Sequence, residues 1–180
     1  VSFLMDASGV DEGRGGFFVL DLKTGRYIEE EYEEAEQAMF NQYELGEHLV
    51  DINLRELLTE LYSTCFLGPH HPRCFIEDIN DNTSAEHWTE SSRHRHARVD
   101  QVLSLIGLIE VLLKQTHAGS RVETKKNFAD TGTRKDRRAE LEAGLKSLGK
   151  KHGWVASKVA MPSRFRTVGW DKEHTGEGEQ

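Results

Sequence analysis

The chain has 180 residues, 37% of them hydrophobic and 30% charged, with only 3 Pro and 16 Gly, which is the size and mix of one folded domain and excludes a disordered, collagen-like or low-complexity chain over most of its length. Its longest apolar stretch, Val102 to Leu113, is broken by Ser104, Gly107 and Glu110, far short of the roughly 20 apolar residues of a membrane span. The net charge of −8 argues against a general nucleic-acid coat, whose footprint is a basic domain.

Val1 to Met5 is an apolar run of β-formers ending at Asp6, followed by Ala7, Ser8 and a Gly-rich connection to Gly16, which predicts a strand and a turn. An opening on Val1, with no charged leader, is expected of a domain cut from a longer polypeptide. Gly16 to Leu22 and Tyr27 to Tyr32 flank Lys23-Thr24-Gly25-Arg26, a hairpin pattern in which Gly25 supplies the positive φ of a tight loop. Glu29 to Glu36 is strongly acidic, and Glu33 to Phe40 reads equally as a short helix or an insertion. Asn53 to Phe66 sets Leu54, Leu57, Leu58, Leu61 and Tyr62 at helical spacing, with Asn53 as the cap and Gly68-Pro69 as the stop. Cys65 and Cys74 are too few for a disulfide scaffold and form no CxxC pair, so buried reduced thiols in an intracellular protein are expected, without structural zinc.

Arg73 to Ile79 reads as a fourth strand, and Asn80-Asp81-Asn82-Thr83 leads to a helix over Ser84 to Glu90. Arg93 to Arg98 packs three Arg and two His into six positions. Arg98 to Ile106 is helical by period. Ending it at Gly107 makes Leu108 to Thr116 a fifth strand running into a loop at His117-Ala118-Gly119; the alternative is one helix to Lys114. Asn127 to Leu148 is rich in helix formers, and Arg121 to Lys151 holds ten Lys or Arg against five acids. Residues 149–180 form a C-terminal extension expected to be partly mobile. Its basic-aromatic piece, with Trp154, Lys158, Arg164, Phe165 and Trp170, could track nucleic acid or pack across the sheet edge. The predicted order is β-β-β-α-β-α-α-β-α over residues 1–148, a mixed α/β sheet with helices on it.

Four acids fall where such a fold gathers its sites, at strand ends and neighbouring helix termini. Asp6 ends the first strand, Asp81 ends the fourth, and Asp130 starts the last helix. Glu56 lies beside the apolar stripe Leu54, Leu57, Leu58, where a carboxylate is costly unless paired or metal-bound. Asp78 competes with Asp81, which is favoured because Asn82-Thr83 suits a strand-to-helix turn.

These residues carry a resemblance to the ribonuclease H family, above all to the ribonuclease H domains of retroelement reverse transcriptases. Asp6-Ala7-Ser8 resembles the family's first Asp, and Asn53-Leu54-Arg55-Glu56 its Asn-x-x-Glu helix entry. Asp81-Asn82-Thr83-Ser84-Ala85 is similar to its Asp-Asn-Thr-x-Ala turn. His117-Ala118-Gly119, Phe128-Ala129-Asp130 and Thr133-Arg134 resemble its closing pattern. Departures are the spacing of Asn127 to Asp130, Thr133 in place of Ser, and a longer, more acidic stretch from Glu29 to Leu49.

The resemblance implies a five-stranded mixed sheet, antiparallel in strands 1–3, with helices on both faces. It implies an endoribonuclease that cuts the RNA strand of an RNA/DNA hybrid, reading groove shape and 2′-OH groups, beside an upstream reverse transcriptase domain. Asp6, Glu56, Asp81 and Asp130 would be catalytic and would hold two Mg²⁺, with Mn²⁺ able to substitute. Such hard ions suit carboxylate and phosphate oxygens and can clamp a phosphodiester from both sides. His117 would be a mobile catalytic histidine assisting product departure, and Asn53, Ser8, Asn82 and Arg134 would contact the substrate. A DNA nuclease of the same fold, or a non-catalytic nucleic-acid-binding or scaffold domain, is the alternative function.

Overall fold

Continuous apolar runs buried on both faces build β1 (Ser2–Ala7) and β2 (Gly16–Asp21), and a half-buried polar run builds β3 (Arg26–Glu31). In this computed structural model, which describes residues 1–8, 15–43, 48–81, 97–123 and 126–162, β2 pairs antiparallel with both β1 and β3. The β2–β3 turn closes on Gly25 at φ 73°, a backbone conformation that favours glycine, and a Cβ there would also run into the Trp154 indole. Parallel strands extend the sheet on both sides. β4 (Phe75–Asn80) lies against β1, β5 (Thr116–Arg121) against β4, and β6 (Ser157–Lys158) against β3, giving the order β5-β4-β1-β2-β3-β6. The sheet is therefore mixed and six-stranded. The sequence leads to five, and the sixth comes from the extension after residue 148.

Among the described residues the helices are α1 (Glu34–Tyr43), α2 (His48–Phe66), α3 (Ala97–Leu113), α4 (Ala129–Gly132) and α5 (Arg138–His152), with single 3₁₀ turns at Gly68–His70 and Lys135–Arg137. Period-two geometry splits the core into two layers. Phe3, Met5 and Ala7 of β1 meet Leu54, Leu57 and Leu58 of α2 and Val99 and Val102 of α3, whereas Leu4, Phe18 and Leu20 meet Ala129 of α4 and Leu141 and Leu145 of α5. Each such side chain, once enclosed, contributes about 1.5–3 kcal/mol, so both faces of the sheet need their helices.

Several boundaries differ from the sequence expectation. α2 starts at His48, so Asn53 is buried inside the helix and does not cap it. α3 runs through Gly107 to Leu113, which is the alternative single helix. One interior glycine costs only about 1 kcal/mol, Ile109 beyond it packs against the core, and Lys114 at φ 55° ends the helix. Leu108, Val111 and Leu112 stay exposed, so that stretch has no strand face to bury. The fifth strand is instead Thr116–Arg121, which includes the residues expected in a loop. The acidic stretch is resolved into β3 and α1. The helix-rich span Asn127 to Leu148, expected to carry one last helix starting at Asp130, is broken at Thr133–Arg134 into α4, a 3₁₀ turn and α5. The helix expected over Ser84–Glu90 and the basic cluster at 93–96 lie outside the described residues, as does 163–180.

The basic and acidic segments meet each other. Arg138 pairs with Glu29, Lys135 with Glu31, and Lys158 with Glu30 at 3.6 Å. Trp154 packs rather than stacking outward: its Nε1 donates to the Leu22 carbonyl at 3.0 Å. No helix among the described residues is long and apolar enough to cross a membrane, and Cys65 and Cys74 are both free but only partly buried, not enclosed as expected.

Candidate metal centre

The parallel pairing of β1 with β4 sets Asp6 near the carboxyl end of one strand beside Asp81, the residue after the other. Leu4 and Asp6 share the sheet face covered by α4, while Glu56 comes from α2 on the opposite face and reaches round the strand end, where Ala7 N–H donates to its Oε1 at 3.2 Å. One carboxylate oxygen from each of Asp6, Glu56 and Asp81 lies within 4.8 Å of the others, the metal-spaced acidic group among the described residues. That separation suits a hard dication, whose bonds to oxygen are about 2.1 Å for Mg²⁺. Asp81, not Asp78, is the acid of the fourth strand that joins the group.

Two residues not singled out as site residues from the sequence orient Asp6. Thr133 Oγ1 donates to Asp6 Oδ2 at 2.9 Å, and Asn127 Nδ2 donates to the Met5 carbonyl at 3.2 Å and to Asp6 Oδ1 at 3.4 Å. Both are placed by α4, which packs so closely on β2 that a Cβ at Gly132 would run into the Phe18 ring. The available signal was a pair of polar residues flanking Asp130 at three positions before and three after.

Burial pushes the Asp6 carboxyl up to about 7; the Thr133 bond and Arg134 oppose the shift, and Asp81 and Asp130 add to it. Glu56 is pushed well above the carboxylate range by burial, then by Asp6 and Asp81, against the Ala7 N–H. Glu56 Oε2 is enclosed with no hydrogen-bond partner, a costly state for a carboxylate oxygen. Crowded acids, raised protonation and an enclosed, unused oxygen are what a bound dication would relieve. The trio therefore fits a metal ion.

The same shift gives a pH test. A carboxyl whose folded pKa is raised above 3.8 to about 7 loses stability as pH rises through that window, because the unfolded chain gives up its proton first. We expect Asp6 to make the metal-free protein about 2–3 kcal/mol less stable at pH 8 than at pH 5. Urea unfolding in EDTA should show that fall shrinking by this amount in Asp6→Asn; an unchanged fall would mean Asp6 is ionised in the fold.

The remaining expected site residues are scattered. Ser8 closes the β1–β2 connection, accepting from Gly16 N–H at 2.9 Å and donating to its carbonyl at 3.2 Å. Arg134 and Asp130 pair with each other, Nε to Oδ1 at 3.0 Å, and Asp130 is outside the trio. Asn82 lies outside the described residues. His117 is not in a loop: it sits within β5, opposite Ile76 of β4, five residues before Asp81 and roughly 16 Å away along the strand. Its side chain is fully enclosed, with Nδ1 bonded to Asp78 Oδ2 at 2.6 Å. Burial pulls the imidazole down, but the bond to Asp78 and the charges of Asp78, Glu60 and Glu110 raise it overall. Comparisons with protein-family models, curated proteins and solved structures give no match to this chain.

Proposed function

We propose that the chain is a metal-dependent endonuclease of the ribonuclease H type, cutting the RNA strand of an RNA/DNA hybrid, and that it works beside a reverse transcriptase domain. The observation that carries this reading is the convergence of Asp6, Glu56 and Asp81 from two strand ends and a helix, in the order along the chain that the resemblance requires. The antiparallel first three strands and the helices on both sheet faces support it.

In this reading Asp6, Glu56 and Asp81 hold the metal, with Asp130 as a further ligand. When bound, two Mg²⁺ would activate a water and offset charge on the leaving 3′ oxygen. The chain's own part is positioning. Thr133 and Asn127 fix the Asp6 oxygens, and Ala7 N–H fixes Glu56, so the ligands need little reordering when the ion enters. His117 is not included, because its imidazole is packed in the core at the far end of β5.

Matched RNA/DNA, RNA/RNA, DNA/DNA and single-stranded substrates, incubated with Mg²⁺ or with EDTA, test the assignment. Cleavage of the hybrid's RNA strand alone, to 5′-phosphate and 3′-hydroxyl ends and abolished by EDTA, is the expected result. Products with 2′,3′-cyclic phosphate, or cleavage that survives EDTA, would sink it. Cutting of DNA duplex would move the chain to the DNA nucleases, and binding without cutting would make it a scaffold domain.

A further inference from the structure

Asp130 stands close enough to Asp6 for its charge to act there, yet its carboxylate is already in use. Arg134 Nε donates to Oδ1 at 3.0 Å, and Arg137 Nη1 donates to Oδ2 at 3.0 Å. Arg137 also donates through Nε and Nη2 to Glu140 Oε2, at 3.0 and 2.7 Å. It is thus strung between two acids on the wall of an open cleft of about 640 Å³, whose other lining includes Lys126, Asn127 and Phe128. Asn127 joins this cleft directly to the metal centre, through its contact with Asp6.

These pairs are built to exchange. Asp130 is 20% exposed, Arg137 35% and Arg134 49%, so solvent weakens each of them. A planar guanidinium accepts a phosphodiester in place of a carboxylate with little loss, since both offer two oxygens to its fork. A hard dication competes in turn for the freed carboxylate.

We propose that Arg134 and Arg137 form a latch that withholds Asp130 from Asp6, Glu56 and Asp81 until a phosphodiester of the nucleic-acid backbone, entering the adjoining cleft, draws the guanidinium groups away. This rests on the nuclease reading for the identity of the polyanion, while the latch itself rests on the observed pairs. Nucleic acid then raises metal affinity, and by linkage metal raises nucleic-acid affinity. A free protein would carry an incomplete ligand set and complete it on its substrate.

The test is a double-mutant cycle read by calorimetric titration of Mn²⁺ into the metal-free full chain at fixed pH, with no substrate present. Arg134→Gln/Arg137→Gln should lower the Mn²⁺ Kd about fivefold, the effect of releasing two partly exposed pairs. The same two substitutions in an Asp130→Asn background should change it by less than about twofold. An equal gain in both backgrounds would show a general charge effect, and no gain would show no competition; either overturns the latch. Arg137→Lys, which keeps the charge and loses the fork, should fall between wild type and the double variant. If the double Gln variant does not fold, the Lys variant carries the cycle.

The phosphate half is read separately, by fluorescence anisotropy of a labelled RNA/DNA hybrid in EDTA. Loss of both guanidinium groups should reduce the slope of log K against log salt by about 1 to 2. An unchanged slope overturns the phosphate exchange. A wild type that binds no hybrid, yet behaves as expected toward Mn²⁺, would overturn the nuclease reading and leave the latch standing.

Discussion

Asp6→Asn and Asp81→Asn are each expected to reduce hybrid cleavage on the order of 10³-fold or more, the loss of about 4 kcal/mol of transition-state stabilisation that a metal ligand supplies. Each substitution keeps the shape of the side chain and replaces a charged ligand by a neutral amide. The fold should survive, and Asp6→Asn should raise the melting temperature of the metal-free protein, because burial and its neighbours Asp81 and Asp130 disfavour the Asp6 charge. Single-turnover cleavage with saturating hybrid, alongside thermal unfolding in EDTA, checks both parts. Full activity in Asp81→Asn, with Asp78→Asn folded and dead, would move the site three residues back along the chain, against the observed trio.

Asp78→Ala is expected to destabilise the fold by about 3–5 kcal/mol, the usual result of removing one partner of a buried charged pair. Domains of this size have only about 5–15 kcal/mol to lose. Asp78 and His117 are both enclosed, and His117 Nε2 has no partner of its own, so the variant leaves an imidazole in the core with neither ring nitrogen satisfied. Replacing both residues by apolar ones, Asp78→Leu with His117→Phe, should recover most of the loss. The imidazole's raised pKa adds a sign. His117's own contribution is fully present below the unfolded value of 6.5 and is lost as pH rises through the folded one. Burial raises the Asp78 carboxyl in spite of the His117 bond and charge, so the charged pair itself is lost again when Asp78 takes up its proton in acid. Urea midpoints of the single and double variants settle the energetics. A His117→Ala protein with an unchanged midpoint but a turnover more than about tenfold lower would restore the catalytic role that the sequence suggests.

The fate of these two residues shows what was legible beforehand. Asp6, Glu56 and Asp81 could be found because each breaks a pattern: a charge at a strand end, or a Glu beside a helical apolar stripe, announces a cost that something must repay. α2 was equally readable from Leu54, Leu57, Leu58, Leu61 and Tyr62, all of them buried. β5 was not readable, because Thr-His-Ala-Gly-Ser-Arg has neither alternation nor β-branched weight, and its place is set by pairing with β4 and by the enclosure of His117. Without that strand the histidine falls in a loop, and its partner Asp78 looks like a rival ligand. The arginines on Asp130 were hidden for another reason: a basic segment read along the chain does not say which acids it will meet across the fold.

The two ends of the sheet bear on whether the protein adds strands to itself. A bare strand edge is a template for another chain. On the β3 side, Ser157 N–H donates to the Gly25 carbonyl at 3.0 Å and Val159 N–H to the Tyr27 carbonyl at 2.8 Å, so a two-residue strand consumes part of the edge. On the other side β5 presents a short run with exposed Thr116 and Arg121 and no β-branched apolar residue. Among the described residues neither end offers a long, flat, hydrophobic edge, so the sheet is guarded against edge-to-edge aggregation by a scrap of strand on one flank and a polar, short strand on the other.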